Sequence, residues 1–157
     1  MEVILMTNTQ LHKDIVTKLI VEALPTNDVT YVESVVTPDT ITRRAGFASL
    51  LQATDNIEPL PSNFMDWVHH GWDSLHAALS EQKVTMREVV ADGNQVIAHY
   101  TYTAKHAGTF ASAPATGKTI HWDEIGIFKF NENDKLVDMW YMIDELRVAE
   151  ELGHQLN

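Results

Sequence analysis

The hydrophobic rhythm of this chain changes once, near Lys83, and that change constrains the fold more than any single motif. Upstream, apolar residues recur at three- and four-residue intervals, the mark of helices with one buried face. Downstream, runs rich in β-branched and aromatic residues carry the mark of strands. Helices followed by strands, rather than the two interleaved, point to an α+β architecture with the helices packed on one face of a curved, mainly antiparallel sheet. Curvature of that sheet opens a pocket between it and the helices.

Asn8 is a good N-cap for a first amphipathic helix that places Leu11, Ile15, Leu19 and Ala23 at helical spacing and stops at Pro25. "GFASLLQAT" at 46–54 suits a short second helix. After the Pro-flanked "EPLPSN" comes a third, "FMDWVHHGWDSLHAALSEQ", with Val68, Trp72, Leu75 and Leu79 on one face. Residues 84–104 form two strands around "DGN" at 92–94, a strong hairpin signal. A loop of small residues, "GTFASAPATGK", precedes the strand "TIHWDEIGIFKF". "NENDK" turns the chain into "LVDMWYMID", and "ELRVAEELG" closes it as a helix stopped by Gly153. The sum is four antiparallel strands after the helices, in one domain spanning 1–157.

Composition narrows the function. The 22 acidic residues outnumber the 11 basic ones, for a formal charge of -11, and Lys and Arg are scattered, which argues against nucleic acid or an anionic membrane as partner. With no cysteine there is no disulfide framework, thiolate metal site or thiol nucleophile. "MEVILM" is far shorter than a signal peptide's apolar region and nothing later reaches membrane-spanning length, so a soluble, cytoplasmic, unprocessed protein is expected. The phosphate-binding loop, the dinucleotide fingerprint and the G-x-S-x-G elbow are missing, and the expected cofactor count is none.

"VIAHYTYTAKHAGTFASAPATGK", followed at a fixed interval by "WYMID" and "EELG", resembles the SnoaL-like polyketide cyclase family, whose fold is the nuclear-transport-factor-2-like α+β cone. The matching pieces are His106 and Gly108, then Pro114, Thr116 and Gly117, the "NDKLVDMW" hairpin before Trp140, and Asp144 with the helix that ends at Leu152 and Gly153. They cover the C-terminal half to two-thirds of the chain. The cyclases that serve as models of the family carry an acid directly after the position of Trp140, where this chain has Tyr141, and a partner histidine near the position of Gly126. The resemblance implies that Tyr141 faces the pocket and that His99 stands where the family often has a basic residue.

Alternation along the strands sorts the remaining candidates. In "TIHWDEIGIFKF" one face collects Ile120, Trp122, Glu124, Gly126, Phe128 and Phe130, and this more apolar face is the expected pocket wall, with Glu124 its only ionisable group. An enclosed carboxyl there has a raised pKa suited to proton transfer. The structural alternative is a salt bridge from Glu124 to Arg87, or a wet sheet end. His121 and Asp123 lie two apart on the other face and could form a metal pair or a His–Asp hydrogen bond. No third ligand is identifiable, so no metal is expected and that face reads as solvent or subunit interface.

On the last strand Val137, Met139, Tyr141 and Ile143 share a face. Tyr141 is either an oxyanion donor or a core tyrosine; His99 is either a substrate hydrogen-bonding group or a surface strand histidine. Trp122, Phe128, Met139 and Trp72 shape the cavity; His106 and Asp144 complete the substrate-binding set, although capping of the last helix is the preferred role for Asp144. His69, His70 and His76 fall on a helix edge, and adjacent histidines cannot share one face.

Together these readings describe a cofactor-independent enzyme acting on a hydrophobic carbonyl compound. Glu124 abstracts a proton and Tyr141, with His99, holds the enolate oxygen, for an aldol-type cyclisation or an isomerisation. An epoxide or ester hydrolase would instead need Arg87 or His99 between Glu124 and a second carboxylate. A non-catalytic binding or dimerisation module would bury Glu124 against Tyr141 with no cavity. A homodimer is expected, because the fold that the resemblance implies leaves a sheet face uncovered and Ile125, Ile127, Trp140 and Met142 would otherwise be exposed as an apolar patch.

Overall fold

The computed structural model describes residues 2–54 and 62–155, apart from the side chains of residues 2–7. The loop inferred from "EPLPSN" falls largely outside them. The chain opens with α1 (Glu2–Lys18), which runs into a π turn (Leu19–Ala23) and the single turn α2 (Leu24–Thr26). Asn8 lies inside α1 rather than capping it, a correction to the sequence reading. Asn27, in the left-handed region at φ 54°, ends this run close to where Pro25 was expected to.

Two elements follow that the sequence did not announce: α3 (Val29–Val35), capped by Asp28 through the amide of Tyr31, and β1 (Val36–Arg43). β1 pairs in parallel with the last strand and lies at the sheet edge. An edge place is where the non-donating Pro38 is tolerated. The register slips between Val36 and Ile41, and Thr40 fills part of the gap: its hydroxyl donates to Leu136 O at 2.7 Å and accepts from Thr37 N at 2.8 Å.

α4 (Ala48–Ala53) matches the short helix expected there. The long third helix is instead two pieces, α5 (Phe64–His70) and α6 (Trp72–Ala78), broken at Gly71. At Leu79 the chain already enters β2 (Leu79–Asp92), so "LSEQ" is strand rather than helix end. β3 (Gln95–His106), β4 (Thr119–Phe130), β5 (Leu136–Ile143) and α7 (Glu145–Glu151) complete the order.

The sheet has five strands ordered β1-β5-β4-β3-β2, antiparallel except for β1 with β5. The expected four antiparallel strands are present and the parallel edge is added to them. The β2–β3 hairpin turns at Gly93, whose φ of 57° is the conformation the "DGN" signal requires.

Burial alternates residue by residue along β4, with Ile120, Trp122, Glu124, Gly126, Phe128 and Phe130 inward. Val96, Ala98, Tyr100, Tyr102, Ala104 and His106 face the same way on β3, as do Met139, Tyr141 and Ile143 on β5. The helices close over this face with Val16, Leu19, Ile20, Phe64, Trp67 and Val68, and the core lies between the layers. Removing that apolar area from water, at about 25 cal/mol per Å², is what drives helices onto sheet.

Candidate active site

One cavity opens where the core is incomplete. The sheet contributes Gln82, Tyr102, Trp122, Glu124, Tyr141 and Ile143. The helical layer and its loops contribute Leu24, Phe47, Trp67, Trp72 and His76 among others. The void is about 550 Å³ including the space open to solvent at its mouth. Among the described residues no Lys or Arg lines it, and Glu124 is its single carboxylate.

Glu124 is 8% exposed. Two residues earlier on the same face, Trp122 turns its indole N–H to Glu124 Oε1 at 2.8 Å, while its ring stacks on Tyr102 at 5.1 Å. Burial drives the Glu124 pKa up to about 7, only partly opposed by the hydrogen bond from Trp122 and by the nearby Tyr100 hydroxyl. At neutral pH the carboxyl is therefore divided between acid and base. Arg87, the salt-bridge partner weighed for Glu124, is on the other face of the sheet, where its Nε donates to Thr101 Oγ1 at 2.9 Å.

Tyr141 stands across the ladder from Gly126. A Cβ on Gly126 would lie 2.5 Å from the Phe128 ring, so glycine there is what lets that ring fold back along its own strand. Phe128 meets Tyr141 edge-on at 5.7 Å, and the Tyr141 hydroxyl donates to Met139 Sδ at 3.3 Å. Thioether sulfur is a weak acceptor, so the phenol is readily redirected to a better one. Burial first, and the charge of Glu124 second, raise the pKa values of Tyr100, Tyr102 and Tyr141 and keep all three phenols protonated donors. Tyr100, paired with Glu124 across the ladder, is fully buried, and its hydroxyl lies near the Glu124 carboxyl without completing a well-formed hydrogen bond.

The structure thus brings Glu124, Tyr141, Trp122 and Trp72 to one cavity and leaves the other candidates outside its wall. Phe128 and Met139 are fully buried behind Tyr141 and position it rather than line the void. His99 is corrected outright: strand alternation puts it on the outer face, 3.5 Å from Asp123. His106 points inward but is sealed beneath the 107–118 loop, its Nδ1 3.0 Å from Thr116 Oγ1. Asp144 caps α7 by accepting from Arg147 N at 3.2 Å, the role preferred for it, and does not reach the cavity.

His121 and Asp123 do not pair. His121 approaches Glu151 at 3.6 Å, and Asp123 accepts from Thr101 at 2.7 Å. Among the described residues no group of three or more His, Asp or Glu is placed to hold a metal ion. Nor is any described helix long and apolar enough to cross a membrane. The hydrolase arrangement is not assembled, because Arg87 and His99 both lie across the sheet from Glu124.

Sequence reasoning missed Gln82, Tyr102 and Phe47 as cavity residues. Tyr102 was within reach, since alternation from Val96 through Ala98 and Tyr100 carries it inward. Gln82 was not, for it depends on a bulge inside a segment that reads as helix.

The comparisons with known proteins agree with this architecture. The sequence profile of the SnoaL-like polyketide cyclase family matches residues 14–152. Among solved structures, AclR, a candidate hydroxylase from Streptomyces galilaeus, superposes with a TM-score of 0.73 at 18% identity, over 95% of this chain and 85% of its own. IdmH, a candidate polyketide cyclase from Streptomyces antibioticus, gives 0.72 at 20% identity over 90% and 98%. A candidate SnoaL-like polyketide cyclase from Jannaschia sp. CCS1 gives 0.74 at 14% over 94% and 95%. No curated protein matches the chain. At these identities the superpositions speak to fold alone, while the profile covers most of the sequence: the chain belongs to the SnoaL-like polyketide cyclase family.

Proposed function

We propose that the protein is a cofactor-independent enzyme that enolises a hydrophobic carbonyl compound, leading to an aldol-type cyclisation or an isomerisation. The observation that carries this reading is a carboxyl poised near pKa 7, the single one among the described residues lining a mainly aromatic and aliphatic pocket.

Glu124 removes a proton from the carbon next to a carbonyl, and the C–H electron pair moves through the new C=C bond onto the carbonyl oxygen. Tyr141 leaves Met139 Sδ and donates to that oxygen, an exchange of a weak acceptor for an anionic one. Two outcomes balance. Glu124 returns its proton to a different carbon, which is isomerisation. Alternatively, the enolate carbon attacks a second carbonyl in the same molecule, and Glu124 protonates the resulting alkoxide. Trp122 holds the carboxyl in place throughout. Tyr141 therefore occupies the position of the acid that the resemblance describes, with the acid moved one strand over to Glu124.

The test is deuterium incorporation from heavy water into an aryl methyl ketone. The wild-type rate is expected to rise with pH through a midpoint near 7. Glu124→Gln is expected to lower it by roughly 100-fold or more. An undiminished rate in that variant ends the proposal.

The outer sheet face supports a homodimer. Ile125 and Met142 are cross-strand partners there, 45% and 44% exposed, beside exposed Ile97. Light scattering is expected to give twice the chain mass at micromolar concentration, and a monomer mass after Ile125→Lys.

A further inference from the structure

The cavity has a second polar end. At Glu81 and Gln82 the register of β2 against β3 slips between Ser80 and Lys83, and Glu81 adopts a left-handed backbone with φ 52°. This bulge sets two residues opposite Ala104 and turns Gln82 inward, where it lines the cavity. A non-glycine residue in that conformation is uncommon, and bulges that re-aim side chains gather at functional sites. Gln82 Nε2 donates to Leu79 O at 3.1 Å, which anchors the amide and leaves its carbonyl oxygen free to accept.

His76, from α6, lines the same cavity. Its ring stacks on Trp72 at 3.4 Å, and Trp72 is itself fixed by an indole hydrogen bond of 2.7 Å to Leu24 O. Neither imidazole nitrogen is hydrogen-bonded to a described residue. Burial lowers the His76 pKa to about 4, so at neutral pH the ring is uncharged and presents one donor N–H and one acceptor nitrogen.

Strand pairing fixes how far this end lies from Glu124. Gln82 stands by Ala104, Ala104 pairs with Ile120, and Glu124 is four residues further along β4. Two strand spacings and four residues amount to about 10 Å across the sheet and about 13 Å along it. The two backbone positions are thus about 16 Å apart, a span with room for one or two aromatic rings between the side chains, and Tyr102 and Trp122 line the same cavity.

We propose that His76 and Gln82 form a substrate-recognition pair for an uncharged hydroxyl at the far end of an aromatic ketone whose carbonyl end is presented to Glu124: Gln82 Oε1 accepts the hydroxyl proton and the N–H of neutral His76 donates to the hydroxyl oxygen. A carboxylate in place of the hydroxyl would be desolvated without a cation, since no Lys or Arg among the described residues lines the cavity. The assignment rests on the reading of Glu124 as the reacting group, and the experiment separates the two.

In one NMR titration in heavy water, para-hydroxyacetophenone is compared with para-methylacetophenone, which is similar in size and lacks the donor. Line shifts read binding and the acetyl signal reads deuterium incorporation. The hydroxy ketone is expected to bind about tenfold more tightly to wild type, the worth of one well-placed hydrogen bond. His76→Phe, which keeps the stack on Trp72, and Gln82→Met are each expected to reduce that preference to about twofold or less, read as the ratio of the two ketones' affinities within the same variant. If His76→Phe does not fold, Gln82→Met decides alone. Equal binding of the two ketones by wild type, no binding of either, or a preference that survives the substitutions would overturn the recognition pair. A preserved preference for the hydroxyl with no deuterium incorporation would instead count only against Glu124.

Discussion

Asp123 and Glu124 are neighbours in sequence, yet the two faces of β4 give them opposite chemistry. Asp123 points outward, where it accepts from Thr101 at 2.7 Å, with His99 at 3.5 Å and Arg87 behind Thr101. The Thr101 hydrogen bond, more than the nearby His99 and Arg87, holds its pKa below the usual carboxylate value. Glu124 points inward, has one hydrogen bond from Trp122, and is pushed up to about 7 by burial. Composition distinguishes the two acids hardly at all. A half-turn of the strand does, by deciding which is solvated and which is enclosed.

The widest separation between the faces is expected in turnover. Glu124→Gln should lower deuterium exchange by roughly 100-fold or more, for loss of a general base. Tyr141→Phe comes next. If the phenol is the oxyanion donor, its loss costs about 2 to 4 kcal/mol in the transition state, read as a fall in kcat with little change in KM. A KM effect alone would make Tyr141 a wall residue.

The inner face was legible because alternation is a strong signal where one side of a sheet is buried, and β4 follows it at every position. Glu124 and Trp122 were found that way, and Tyr141 through the resemblance. His99 failed by the same rule: Ala98 and Tyr100 point inward, so His99 between them cannot. β1 was illegible since Pro38 and the register slip at Val36 to Ile41 interrupt its pattern, and its partner β5 is remote in sequence. The α6–β2 junction misled for a different reason. Leu79 satisfies both the helical spacing of Trp72 and Leu75 and the inward position that starts β2, so periodicity could not place the boundary.

Stability should separate the faces less than turnover does, and with opposite dependence on pH. The Glu124 pKa is raised on folding, so the native state holds a proton that the unfolded chain releases between about pH 4.5 and 7. Its burial therefore costs stability increasingly across that window and by a constant amount above it. The upper bound is about 3 kcal/mol, from 1.36 kcal/mol for each pKa unit. Glu124→Gln keeps an oxygen for the Trp122 indole and removes the charge. Urea unfolding should show the variant more stable than wild type at pH 8, by roughly 1 to 3 kcal/mol, with the gain fading toward pH 5. A variant less stable at pH 8 would mean that the carboxylate is better solvated than its burial implies.

The smallest effect is expected from Asp123→Asn, and it closes the comparison. A depressed pKa makes Asp123 a stabilising group whose contribution is present above its unfolded pKa and lost as pH falls through the folded value, the reverse of Glu124. The side chain is 55% exposed, so solvent screens both the Thr101 hydrogen bond and the approach of His99. Asn retains an oxygen for Thr101, and the backbone carbonyl of residue 123 still receives the amide of Asp144 at the start of α7. Loss of stability at neutral pH should stay within about 1 kcal/mol. Exchange should stay within about twofold of wild type, with its pH midpoint still near 7, since that midpoint belongs to Glu124. A tenfold fall in exchange, or a midpoint displaced by a full pH unit, would mean that charge on the outer face is felt through the sheet, and the separation of the two faces would not hold.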